Sequence, residues 1–239
     1  MYVTSTLRKP IDPVELKTYA QWFGLKIRMD RPLPQDEVGF VIEGTGIRLE
    51  SPGQKGQVWH PGLAYRRIKH SVDALRKVLA LKTGDQLLDC TLGMGHDALA
   101  ALDAGAVVTA LEVQAPMILY TMTGLSRFAP TLTKRLHVRC CDYRSFLESA
   151  KADSFDHVYL DPMFPRAKTE KANVTWALLR TFTQPEKRLD KDTIRNAVRV
   201  ARRSVVFKLA PLEVVPTFEG LPKPEIVGSK RQKYARWTI

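Results

Sequence analysis

The sequence predicts an α/β fold: a mostly parallel sheet covered by helices on both faces, preceded by a small α+β unit. Three observations carry this expectation. Apolar strand-like runs alternate with segments of helical period from residue 62 onward, and parallel strands need crossovers long enough to hold a helix. A Gly-x-Gly turn stands between the first strand and the next helix of that series. The chain has 239 residues, 44% hydrophobic and 26% charged, which supplies material for a core and excludes a disordered chain.

The elements follow in order. Asp12-Pro13-Val14-Glu15 pairs an N-cap residue with Pro at the first helical position, and Gly24 stands where a left-handed C-terminal residue belongs, so a helix is expected over 13–23. Phe40, Ile42, Ile47 and Leu49 flank Gly44-Thr45-Gly46 and predict a hairpin within 39–50. Ser51 to Gln57 reads as a loop, placing a boundary between a unit at 1–57 and a domain at 58–239. A basic helical segment with Val72, Leu75, Val78 and Leu79 on one face is expected to stop near Gly84. Strands are expected at 86–90, 106–111, 136–140, 156–160 and 204–209. Helices are expected near 96–104, 115–127, 143–150, 174–183 and 190–202. Lys233 to Ile239 reads as a last, antiparallel edge strand.

Composition narrows the function classes. Three cysteines make neither a disulfide framework nor a metal cluster, and five scattered histidines have no ligand spacing. His137 and His157 fall in strands and read as packing residues; Cys90 reads as a small core residue. No leader pattern opens the sequence and no apolar run reaches the ~18 residues of a membrane span, so a reduced cytoplasmic protein is expected. The net charge of +12 is unevenly spread. Residues 162–239 hold 17 Lys and Arg against 7 Asp and Glu, a surplus suited to a phosphate backbone or to a solvated face.

The run Leu87-Leu88-Asp89-Cys90-Thr91-Leu92-Gly93-Met94-Gly95-His96-Asp97 describes a strand that ends in a carboxylate and turns through glycines into a helix. Glycines let a ligand approach the backbone, and the helix N-terminus offers unpaired N–H groups. A dinucleotide would place its pyrophosphate there. S-adenosylmethionine instead brings an ammonium group, for which Asp89 is an acceptor. Glu112, at the next strand end, suits ribose hydroxyls in either cofactor, and Asp142, after the third strand, suits an adenine amino group. Both acids also fit plain helix N-caps.

His157-Val158-Tyr159-Leu160-Asp161-Pro162-Met163-Phe164-Pro165 favours the second cofactor. A nucleobase amine is a poor nucleophile because its lone pair is delocalised into the ring. Asp161 and the Pro162 carbonyl supply acceptors that would orient it, and Phe164 supplies a face for an extruded base. The bland alternative for Asp161-Pro162 is a strand-ending turn.

These residues resemble the ribosomal RNA small subunit methyltransferase J family, class I enzymes that form N2-methylguanosine in 16S rRNA. The resemblance rests on Ala64-Tyr65-Arg66-Arg67, Asp89-x-Thr91-x-Gly93-x-Gly95-x-Asp97, Glu112, and Tyr159 through Pro165; Val205-Val206-Phe207-Lys208 sits where the family has a strand ending in a basic residue. It implies a Rossmann-like class I methyltransferase fold with S-adenosylmethionine contacts at Asp89, Gly93, Gly95, His96, Asp97, Glu112, Val113, Cys141, Asp142 and Asp161. Asp161, Pro162 and Phe164 would carry the reaction. Arg66, Arg67, Lys69, Arg166, Lys168 and Lys171 would hold RNA phosphates, with 16S rRNA or the small ribosomal subunit as partner. The chain departs from the family at His96 (usually Arg), at Val113 (usually basic) and around Lys69-His70-Ser71, where a glycine-rich stretch is absent. An outlying member with another RNA, DNA or small-molecule substrate, an rRNA-binding protein without turnover, and a nucleotide-dependent oxidoreductase are the alternatives.

Overall fold

The computed structural model describes residues 2–5, 26–27, 39–43, 46–51, 54–69, 73–162, 189–210, 215, 217–229 and 232–239. The helices expected at 13–23 and 174–183 lie outside these residues. By internal contacts the chain forms two units. Among the described residues, the first comprises those up to Pro61 together with 114–130, and the second comprises the rest. The helix at 115–128, placed by sequence in the second domain, thus clusters with the first unit.

The first unit is a five-stranded sheet built from β1 (Tyr2–Ser5), β2 (Lys26–Ile27), β3 (Gly39–Glu43), β4 (Gly46–Ser51) and β5 (Gln54–Val58), in the order β2-β1-β3-β4-β5. The expected hairpin is β3 with β4, whose backbone register pairs position 40 with 49 and position 42 with 47. The segment expected as a loop up to Gln57 instead forms β5, an edge strand antiparallel to β4. Its Gln54-Lys55-Gly56-Gln57 has no apolar alternation, so what makes it a strand is backbone pairing, which residue type does not reveal. The helix Ala115–Phe128 is tied to this end of the unit: Tyr120 Oη donates to the Gln57 carbonyl at 2.9 Å, and Gly124 leaves room for the Trp59 ring.

The second unit holds a seven-stranded sheet of β6 (Gln86–Asp89), β7 (Val107–Glu112), β8 (Leu136–Cys140), β9 (Phe155–Leu160), β10 (Ala201–Leu209), β11 (Glu225–Gly228) and β12 (Lys233–Thr238). The order is β11-β12-β10-β9-β6-β7-β8, with β6 to β10 pairing in parallel. All five parallel strands lie where the sequence predicts them, within a few residues. The final segment is antiparallel as expected but is not the edge, because β11 pairs along its outer side. One face of the sheet buries Val158, Leu160, Val205, Phe207 and Trp237 against Ile194, Ala197 and Val200 of the helix Lys191–Val200.

The basic segment expected as one helix is two, Gly62–Lys69 and Ala74–Leu79. Asp73 caps the second, accepting from the Arg76 N–H at 2.9 Å, and Ala80 ends it in the left-handed region, well before Gly84.

At the N-terminal ends of the central strands a buried polar cluster joins β6, β9 and β10. His157 Nδ1 lies 2.8 Å from Ser204 Oγ and its Nε2 lies 3.3 Å from Asp85; Arg203 donates to Asp85 at 2.8 Å, and Asp156 accepts from the Gln86 N–H at 2.8 Å. Burial depresses the His157 pKa, so the ring is held neutral. His157 is thus a core residue as expected, whereas His137 is exposed on the edge strand β8.

Candidate active site

The sheet order reverses between β6 and β9: the chain runs outward through β7 and β8, then returns to the other side of β6. Such a switch point opens a crevice at the C-terminal ends of the strands. Asp89 ends β6, Glu112 ends β7 and Asp161 follows β9. Alternating strand and helix thus deliver three acids to one end of one sheet.

The glycine turn is organised by these acids. Asp89 Oδ1 accepts from the Thr91 N–H at 3.0 Å, and Glu112 Oε2 accepts from the Gly93 N–H at 3.1 Å. Thr91 Oγ1 accepts from the Asp161 N–H at 2.8 Å, stitching the turn to the reaction loop. Gly93 and Gly95 have φ of +47° and +69°, which a side chain would strain. Gly95 is the N-cap residue of the helix His96–Asp103, whose first turn presents Asp97. His96 packs toward Gly62, where an added Cβ would lie 3.4 Å from the ring.

The described residues therefore bring Asp89, Asp97, Glu112 and Asp161 together around one turn. Asp89 is 1% exposed. Burial raises its pKa to about 8, and Asp97, Asp161 and Glu112 push in the same direction, while the Thr91 N–H opposes them. Asp161 is raised to about 6, chiefly by burial; Lys208 pulls it down and Asp97 pushes it up. Lys208 Nζ sits 2.5 Å from Asp161 and 3.6 Å from Asp97, and Tyr159 Oη donates to Asp97 at 2.8 Å.

The other sequence candidates fall in different places. Asp142 does cap a helix: its Oδ1 accepts from the Arg144 N–H at 2.8 Å, at the start of Tyr143–Ser149. The Cys141 N–H donates to the Glu112 carbonyl at 3.1 Å, so the Cys141-Asp142 pair hangs beside the β7 acid. Val113 is exposed next to it, and Pro162 is buried. Arg66, Arg67 and Lys69 lie on the helix Gly62–Lys69. Phe164, Arg166, Lys168 and Lys171 lie outside the described residues.

Sequence reasoning left three site residues unassigned: Thr91, Tyr159 and Lys208. Lys208 carried the same signal as the acids, a charge at the C-terminal end of a parallel strand. Tyr159 was hidden in an apolar run, where only the parity of the strand shows that it points with Asp89 rather than into the aliphatic core.

This arrangement discriminates between the two cofactors. The acids around the glycine turn suit a cation better than a pyrophosphate, and a buried carboxyl held above its ordinary pKa is stabilised as an anion by an incoming ammonium or sulfonium. The residues present fit S-adenosylmethionine. Fold and site together define a Rossmann-like protein of the class I methyltransferase type.

Comparison with known proteins agrees. Residues 58–235 match the family described as "Putative SAM-dependent methyltransferase". The chain belongs to this family, whose cofactor is S-adenosylmethionine. It is 31% identical over 164 residues to the uncharacterized protein YpiP of Bacillus subtilis, covering 63% of this chain and 62% of that one. It is 29% identical to the ribosomal RNA small subunit methyltransferase J of Acinetobacter baumannii, over 59% of this chain and 52% of that one. The chain thus spans between about half and two thirds of the length of these two relatives. A crystal structure of a SAM-dependent methyltransferase from Neisseria gonorrhoeae superposes with a TM-score of 0.72 at 17% identity, covering 100% of this chain and 96% of that one, and it confirms the fold.

Proposed function

We propose that this chain is an S-adenosylmethionine-dependent methyltransferase acting on an exocyclic amine of RNA, with guanine N2 of small-subunit 16S rRNA as the target. One observation carries the reading: Asp161-Pro162 stands at the switch point beside Asp89, with its carboxylate held by Lys208. The names of the J-family relatives support RNA as substrate, as does the basic surplus after residue 162.

Asp89 and Asp97 would meet the cationic part of the cofactor, Glu112 its ribose and Asp142 its adenine. The bound cofactor supplies a methyl group whose bond to sulfur breaks with the electron pair retained by sulfur as a thioether. Asp161 and the Pro162 carbonyl accept from the two amine N–H groups and turn the nitrogen lone pair outward, so that positioning replaces activation. The nitrogen sheds one proton as the N–C bond forms, and Asp161, raised to about 6, is a base of suitable strength for it. Phe164 would stack on the extruded base, while Arg66, Arg67, Lys69, Arg166, Lys168 and Lys171 would grip phosphates without reading sequence.

The test is transfer of radiolabelled methyl groups to unmodified 16S rRNA, followed by mass mapping of the modified nucleoside. The expected product is N2-methylguanosine. Asp161→Ala, which removes the acceptor altogether, should abolish transfer while titration calorimetry still detects S-adenosylmethionine binding. Full transfer by that variant would overturn the mechanism; a protein that binds rRNA yet never binds the cofactor would overturn the enzyme reading.

A further inference from the structure

Lys208 is the last residue but one of β10, opposite Tyr234 of β12, on the strand next to the one that delivers Asp161. Its side chain is about one quarter exposed, and its ammonium lies 2.5 Å from one Asp161 oxygen and 3.6 Å from Asp97. Strand parity puts it on the same side of the sheet as Asp89, Tyr159 and Asp97, away from the aliphatic face. The ammonium therefore meets carboxylates from two elements, Asp161 after β9 and Asp97 on the helix His96–Asp103, and Asp89 on β6 lies near enough to feel the charge of both acids. Tyr159 on β9 contributes a neutral hydroxyl that already donates to Asp97.

We propose that Lys208 is a positioning residue for methyl transfer: it holds the Asp161 carboxylate ionised and aimed, so that the incoming amine meets an acceptor. This inference rests on the reading of Asp161 given above. The physical need is specific. A carboxylate oxygen accepts hydrogen bonds from an NH₂ group, whereas a protonated carboxyl presents an O–H of its own and competes for the same lone pair. Asp161 is half-buried beside Asp97, and two carboxyl groups in contact favour protonation of one of them. The ammonium is the counterweight that decides which form the substrate meets.

Removing an opposite charge at this distance raises a carboxylate pKa by ~1–3 units. In Lys208→Met the acidic limb of kcat/KM for rRNA methylation, at saturating S-adenosylmethionine, should move up by that interval. Activity near pH 7 should fall about tenfold and recover toward wild type near pH 9. Lys208→Arg should keep the limb in place. Because Met removes a cation from beside Asp97, affinity for the cationic S-adenosylmethionine, read by calorimetry, should be unchanged or tighter. A limb that stays put in Lys208→Met, or a loss that is the same at every pH, overturns the role of Lys208. If instead Asp161→Ala methylates normally, or the wild-type chain transfers no methyl group to rRNA, the underlying reading falls and this inference with it.

Discussion

Asp89→Asn should make the chain more stable and a poorer binder at the same time. Asp89 is buried, and its carboxyl is raised from 3.8 to about 8 by desolvation and by three neighbouring carboxylates. Between those values the folded chain keeps the proton and the unfolded chain releases it, so stability falls as pH rises from about 4 to about 8. At 1.36 kcal/mol per unit, over the ~3 units between 3.8 and 7, this one group withdraws about 4 kcal/mol by neutral pH. Asn keeps the oxygen that accepts from the Thr91 N–H and has nothing to ionise. Urea unfolding of the ligand-free protein at pH 4, 5.5, 7 and 8.5 should therefore show a gap between variant and wild type that widens with pH and then levels off. Groups away from the site titrate alike in both proteins and cancel, leaving Asp89 and the three carboxylates it interacts with, Asp97, Asp161 and Glu112. S-adenosylmethionine closes the argument: its cation favours the anionic Asp89, so binding below pH 8 should release a proton. Calorimetry in buffers of different ionisation enthalpy reads that proton directly, and the variant should not release it. Parallel stability curves from pH 4 to 8.5, together with buffer-independent binding heat in the wild type, would mean that folded Asp89 holds no proton in this range.

Gly124→Ala should destabilise the first unit by about 1–3 kcal/mol of overpacking, read as a lowered thermal midpoint, because an added Cβ would lie 2.2 Å from atoms of the Trp59 ring; an unchanged midpoint would show that the ring has room to move. His157→Ala, at the end of the sheet opposite the site, should cost about 2–3 kcal/mol of stability by leaving Ser204 and Asp85 short of a partner. It should leave kcat per folded molecule unaltered. In the wild type, folded His157 stays neutral while the unfolded ring gains a proton below 6.5, so acidification from pH 6.5 downward should destabilise wild type relative to this variant.

How much of this was legible in the sequence depends on which interactions set each feature. The parallel strands were, because a strand buried on both faces must be apolar along its length, and Leu87-Leu88 or Val205-Val206-Phe207 has no other reading. Asp89, Glu112 and Asp161 were visible for the same reason: an acid at the end of an apolar run contrasts with what precedes it. β5 and β11 were not: both are edge strands paired with a single neighbour, β5 polar from Gln54 to Gln57 and β11 only the four residues Glu225 to Gly228, too short for an alternation to show. The break between Gly62–Lys69 and Ala74–Leu79 escaped because helical periodicity continues across it; only the Asp73 cap marks it, and Asp in a basic helical stretch also reads as a surface charge. Lys208 and Tyr159 escaped because their meaning lies in which acids the sheet order sets beside them, and that order is a property of three distant segments at once.

The two ends of this sheet share a chemistry and differ in its balance, and the difference locates function. At the N-terminal ends of the central strands, Asp85 faces Arg203, Asp156 faces Arg202 and Arg203, and His157 sits neutral between Ser204 and Asp85. Burial pushes Asp85 upward, yet the Lys82 N–H and the Arg203 guanidinium bring it below its ordinary value: those charges are met from within the chain. At the C-terminal ends, four carboxylates share a site with the single ammonium of Lys208 among the described residues, and Asp89 and Asp161 are both driven above their ordinary values. A fold gains nothing from packing like charges together, since each buried carboxyl costs stability that apolar residues of the same size would restore. A cation bound at this end of the sheet would offset that imbalance. A sulfonium carrying an ammonium suits this surplus of acids better than a pyrophosphate does, in keeping with the cofactor of the family.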